Sequence, residues 1–169
     1  VVVGLAAAAL TVAAVSVFGH HGSSKAAASS SSALEQAAPF KGPDLRNPGG
    51  AVTIDFKRPT VLAFFAAWCG PCREELPRLA ETARSDHAVD VLGVDVQDVR
   101  SEALSLLAQS HADFPVAVDR DTSISDAYHL RGMPTTFFIA PGGRVVAAHS
   151  GPLSARDLRT LLAGLEGAR

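Results

Sequence analysis

Cys69 and Cys72 are the chain's two cysteines, and they sit three apart in Trp68-Cys69-Gly70-Pro71-Cys72. A thiol pair at this spacing can close a small ring reversibly and carry two electrons, bind a metal, or hold an inert bridge. Zinc needs four ligands, and the six histidines of the chain supply no second pair at ligand spacing. An inert bridge across so short a loop yields little stabilisation for its strain. Copper delivery by two soft thiolates and a histidine such as His149 is the non-enzymatic alternative. Gly70-Pro71 suits a redox pair at a helix start and leaves His149 without a place, so a dithiol carrier accounts best for the residues.

That chemistry depends on what flanks the pair. The run "TVLAFFAAW" before Cys69 is nearly continuous in apolar residues, which predicts a strand buried on both faces. After Cys72, "REELPRLAETARS" carries Leu76, Leu79 and Ala83 at helical spacing, which predicts an amphipathic helix with a kink near Pro77. Cys69 then falls where a strand hands over to a helix N-terminus. Unpaired backbone N–H groups and the helix dipole favour an anion there, so the Cys69 thiolate is stabilised and the residue is expected to be exposed. Pro71 suits the first turn because its missing N–H would find no partner. Cys72, one turn further in, is shielded and placed to attack a mixed disulfide formed by Cys69.

The rest of the chain supplies elements for an α/β domain. "AVTIDF" predicts a short edge strand, and "VDVLGVDV" and "FPVAVD" predict further strands. "SEALSLLAQSH" predicts a helix capped by Ser101, and "SISDAYHL" a short helix. "TTFFIAPGGRVVAAHS" reads as an antiparallel hairpin turning at Pro-Gly-Gly, and Ser154 caps "ARDLRTLLAGL" with Asp157 as reciprocal partner.

Residues 1–19 form an apolar segment, 20–39 a Ser/Ala-rich linker, and 40–169 the globular domain. At about 1.5 Å per residue the apolar segment just spans a hydrocarbon core of roughly 30 Å, and a membrane anchor is the favoured reading. A cleaved signal peptide is its rival, with Ala26-Ala27-Ala28 as a candidate cleavage sequence. A net charge of -2 without a basic run argues against nucleic acid as a partner.

Taken together, the Cys-x-x-Cys at a strand-to-helix junction, the later "YHLRGMPTTFFIAPGGRVV" and the closing "SGPLSARDL" resemble a thioredoxin fold. The extra "SEALSLLAQSHADFPVAV", "WCGPCREELP" and the N-terminal segment resemble the TlpA/ResA/DsbE branch of membrane-anchored thiol-disulfide oxidoreductases. This resemblance implies a central mixed β-sheet flanked by helices, a βαβ-scale insertion, and a preceding hydrophobic helix. It implies a redox-active Cys69–Cys72 disulfide, with Cys69 attacking and Cys72 resolving, and neither cofactor nor metal.

Pro134 would be a cis-proline facing the cysteines, a role that rests on the resemblance. The Met133 backbone would pair with an extended substrate segment. Trp68 would flank the site, the alternative being core packing, and Gly151 would permit close backbone approach, the alternative being a simple turn. In the haem-maturation members of the branch a glutamate at the position of Glu75 tunes cysteine protonation. The alternative is a solvated face shared with Arg73 and Glu74. One position departs from the thioredoxin pattern: where thioredoxins carry a buried Asp, six residues before the first cysteine, this chain has Ala63.

The implied function is dithiol-disulfide exchange with protein substrates that carry cysteine pairs, in the reducing direction. Apocytochrome c is the implied substrate, with electrons from a membrane thiol carrier. The implied location is the extracytoplasmic side of a bacterial cell membrane, or the exterior if the N-terminal segment is cleaved. Oxidation of secreted proteins is the alternative enzymatic reading, and copper chaperoning the alternative outside enzymes. Peroxidase chemistry is set aside, because Pro-x-x-x-Thr/Ser-x-x-Cys would need a hydroxyl where Ala66 stands and a proline where Leu62 stands.

Overall fold

The computed structural model describes residues 35–168. The expected anchor over 1–19 and most of the linker lie outside the described residues. No described helix is long and apolar enough to cross a membrane.

The described residues form seven strands and four helices in the order β1 (Phe40–Pro43), β2 (Ala51–Ile54), β3 (Thr60–Phe65), α1 (Cys72–Ser85), β4 (Asp90–Val96), α2 (Arg100–Gln109), β5 (Val116–Asp119), α3 (Ser123–Ala127), β6 (Thr135–Ile139), β7 (Val145–Ser150) and α4 (Ala155–Glu166). The main sheet is ordered β5-β4-β3-β6-β7. Strand β3 runs parallel to β4 and antiparallel to β6, while β4 is parallel to β5 and β6 antiparallel to β7. The sheet is therefore mixed, and the segment "SEALSLLAQSHADFPVAV", expected as an insertion, forms most of α2 and β5, which places a strand at one edge.

Strand β3 lies at the centre with all six residues buried, as its unbroken apolar run demands. Its side chains alternate between two cores. Val61, Ala63 and Phe65 join a core that includes Leu76 and Leu79 of α1, Leu106 and Leu107 of α2, and Leu158 and Leu165 of α4. Leu62 and Phe64 join a second core with Val52 and Ile54 of β2, Tyr128 and Phe137. Within it the Phe64 and Tyr128 rings lie 5.3 Å apart, and Tyr128 and Phe137 also 5.3 Å. The Tyr128 hydroxyl donates to the Ala38 carbonyl at 2.7 Å and Ala37 is buried, so residues ahead of β1 are tied into the fold.

Some local expectations change. "AVTIDF" is not an edge of the main sheet, because β2 pairs with β1 in a separate two-stranded sheet. Strand β1, "FKGP", contains Gly and Pro and gives no alternating signal, so its pairing could not be read locally. Helix α2 starts at Arg100 with Val99 at its cap, two residues ahead of the expected Ser101 cap. The carboxylate of Asp98, not the hydroxyl of Ser101, accepts from the Val99 amide at 2.7 Å. Pro71 stands at the cap of α1 instead of inside its first turn, and Pro77 lies within that helix. The α4 start is as expected: Ser154 Oγ accepts from the Asp157 amide at 3.1 Å and donates to Asp157 Oδ2 at 2.6 Å.

Candidate active site

Strand β3 ends at Phe65, and seven residues later α1 begins at Cys72. Cys69 and Cys72 are joined in a disulfide across this junction, with Cα atoms 5.3 Å apart. The Cys72 backbone N–H donates to Cys69 Sγ at 3.3 Å, the orientation that would stabilise a thiolate on Cys69. Cys72 is fully buried. Cys69 is 5 % exposed, so the expectation of an exposed Cys69 is corrected for the disulfide state: its sulfur is tied back toward the core that both cysteines share. The ordering of accessibility, Cys69 above Cys72, remains.

Glu75 is buried, while Arg73 and Glu74 are exposed, so the solvated-face alternative fails for Glu75. Helix geometry accounts for the difference, since Cys72, Glu75, Leu76 and Leu79 fall on the inward stripe of α1. Thr136 Oγ1 donates to Glu75 Oε1 at 2.5 Å, and Oε2 has no partner. Burial pushes the Glu75 carboxyl above the usual range, partly offset by the Thr136 bond and by the nearby His149 and Arg78 side chains. Thr136 pairs in register with Ala63 on β3 and with His149 on β7. A carboxyl from α1 thus reaches the sheet beside the strand position that lacks the thioredoxin-type acid.

The Met133–Pro134 peptide bond is cis. Strand register pairs Phe64 with Thr135, which sets Pro134 near the end of β3 from which the cysteine loop departs. Met133 is half-buried. The Gly151 N–H donates to the Pro134 carbonyl at 2.9 Å. A side chain at Gly151 would meet nothing within 4 Å, but its φ is +93°. The glycine is therefore required by backbone conformation and not by close approach, which corrects the expected reason for it.

Trp68 is 60 % exposed, which rules out core packing, and its Nε1–H donates to the Gln97 carbonyl at 3.3 Å. The loop before Cys69 is held at both backbone poles of Ala67. Its N–H donates to Asp98 Oδ2, and its carbonyl accepts from Arg73 Nη2 at 2.8 Å. Asp98 and its neighbour Asp95 were not singled out from the sequence. The available signal was an acid inside an otherwise apolar strand run, "VDVQD". Thr136 was equally hidden. His87, His111 and His129 are exposed. Among the described residues no group of three or more His, Cys, Asp or Glu side chains is placed to hold a metal ion.

Comparison with known proteins places this geometry. The chain is 32 % identical over 95 residues to thiol-disulfide oxidoreductase ResA of Bacillus subtilis, a match covering 55 % of this chain and 53 % of ResA. It therefore spans about half the length of that relative. It is 29 % identical over 144 residues to thiol:disulfide interchange protein DsbE of Allochromatium vinosum, covering 80 % and 79 % of the two chains. Among solved structures, one described as a putative DsbE from Chlorobium tepidum superposes with a TM-score of 0.69 at 30 % identity, covering 78 % of this chain and 96 % of that one. The fold is thioredoxin-like. Residues 34–148 match the AhpC/TSA family, and with most of the domain inside that match the chain belongs to this family.

Proposed function

We propose that this chain is an extracytoplasmic thiol-disulfide oxidoreductase of the ResA/DsbE type that reduces disulfides in protein substrates. The observation that carries the reading is the Cys69–Cys72 disulfide at the head of α1, with the Cys72 amide aimed at the Cys69 sulfur. Starting from the dithiol, the Cys69 thiolate attacks one sulfur of a substrate disulfide. A mixed disulfide forms and the other substrate sulfur leaves as thiolate. Cys72, its proton passing to the Glu75 carboxylate, then attacks Cys69 Sγ. Two electrons have moved to the substrate, whose second sulfur is released, and the Cys69–Cys72 disulfide is left for a membrane thiol carrier to reduce.

In this reading Met133, beside the cis Pro134, offers its backbone to an extended substrate segment, Gly151 supports that loop, and exposed Trp68 forms an apolar rim. Residues 1–19 tether domain 40–169 to the outer face of the membrane through linker 20–39, and apocytochrome c is the substrate. Peroxide reduction is disfavoured by buried Ala66, which puts a methyl where a hydroxyl would be needed.

The test is capture. Cys72→Ser should stall as a mixed disulfide because nothing remains to resolve it, whereas Cys69→Ser should trap little. Equal trapping by both variants would overturn the assigned roles. The trapped partner separates the directions: a cytochrome maturation component supports reduction, and a broad set of secreted proteins would replace it with oxidation.

A further inference from the structure

Behind the loop that carries Trp68 and Cys69 lies a second pair of acids that the exchange reaction does not use. Asp95 is 1 % exposed and Asp98 6 %. Asp98 grips two backbone amides with its two oxygens, Ala67 N–H through Oδ2 and Val99 N–H through Oδ1 at 2.7 Å. One carboxylate thereby ties the segment before Cys69 to the start of α2. Gln97, between the two acids, has a φ of +46°, and its carbonyl accepts the Trp68 indole N–H. The 95–98 turn thus holds the loop at the Ala67 amide and at the Trp68 ring.

Asp95 lies on β4 opposite Phe65 of β3 and Val118 of β5. Its Oδ1 is buried without a donor. The neighbouring polar group is the Asp98 carboxyl, and two carboxyls can hydrogen-bond only when one carries a proton. The charged groups around the pair are few. Beyond β5, Arg120 donates through Nη1 to the Asp98 carbonyl at 3.4 Å, and from α1 Arg73 holds the Ala67 carbonyl. The end of β3 contributes only Phe65, Ala66 and Ala67.

We propose that Asp98 is a positioning residue for the Ala67–Cys69 loop and that Asp95 controls it: loss of the Asp95 proton sets a second buried negative charge beside Asp98 and releases its grip on the loop. Two adjacent buried anions repel, and the relief open to them is to move Asp98 away from Asp95 and so from the Ala67 amide. Burial first, then Asp98 beside it, holds the Asp95 carboxyl up at about 7, with Arg120 opposing. The kinetic consequence rests on the reading of Cys69 as the attacking group, whereas the conformational one does not.

Trp68 is the chain's one tryptophan and touches the turn directly, so its emission reports on the loop. In the disulfide form, where neither cysteine titrates, emission of the full chain should show a transition near neutral pH. It should vanish in Asp95→Asn, whose side-chain amide donates to Asp98 at every pH, and persist in Glu75→Gln. A wild type without the transition, or a transition surviving in Asp95→Asn, would overturn the proposal.

In the reduced form, Asp98→Asn puts an NH2 against one of two backbone N–H donors. Alkylation of Cys69 should slow by about tenfold with an altered pH profile, since small misplacements of a reacting group carry costs of that order or more. Alkylation at the wild-type rate would also overturn it. If the Cys72→Ser trap fails while the emission transition depends on Asp95, the positioning stands and the exchange reading falls. A working trap with a transition indifferent to Asp95 gives the reverse.

Discussion

The buried Asp95 makes a quantitative statement about stability. Its ordinary carboxyl value of 3.8 is raised to about 7 in the fold, burial being the main cause. A raised carboxyl means that the native state holds its proton while the unfolded chain has lost it. The favourable contribution is complete below the unfolded value and is lost as pH rises toward the folded one, at about 1.36 kcal/mol per pH unit. Between pH 5 and the folded value lie about two units, which corresponds to about 2–3 kcal/mol. Asp95→Asn removes the titration and keeps a donor for Asp98. Urea denaturation of the disulfide form at pH 5 and pH 8 should therefore show the variant gaining about 2–3 kcal/mol on wild type between the two conditions, roughly 1 M in midpoint. Subtracting wild type at each pH cancels Glu75 and every other common group. Parallel pH profiles would refute the assignment of a raised, buried carboxyl to this position.

Glu75→Gln should also flatten the pH dependence of stability, because the Glu75 carboxyl is raised by burial and stability is lost as pH rises through its folded value. In the reduced protein the same change should move the cysteine titration to lower pH by removing a nearby negative charge, and an unchanged thiol titration would confine Glu75 to a structural role. Gly93→Ala should destabilise by roughly 1–3 kcal/mol in denaturant unfolding. Its new Cβ would lie 2.9 Å from Phe65 Cε1 and 3.0 Å from Val116 Cγ2, and unfolding at the wild-type midpoint would show that those side chains give way. Trp68→Ala, at a side chain 60 % exposed, should change stability by less than about 1 kcal/mol while slowing exchange with a protein disulfide more than with a small aromatic disulfide. Equal slowing of both would remove Trp68 from substrate contact.

Local sequence was sufficient for what depends on neighbours along the chain. The unbroken apolar run into Cys69 specifies a strand buried on both faces, the Leu76/Leu79 stripe specifies the packed face of α1, and the Cys-Gly-Pro-Cys spacing specifies a closable ring at the junction. Ser154 and Asp157 capped their helix as written because both partners lie within one turn.

Tertiary structure decided whatever needed a partner distant in sequence. Whether Glu75 faced water or protein turned on Thr136, 61 residues away, and on a helix stripe that three consecutive charged residues obscure. Asp98 took over the start of α2 from Ser101 and at the same time bound Ala67, 31 residues earlier, a double role that no local spacing encodes. Strand β1 could be assigned only through its pairing with β2. In each case the deciding quantity was desolvation of a polar group. Its cost depends on which side chains arrive to share the interior, and only the folded chain brings them there.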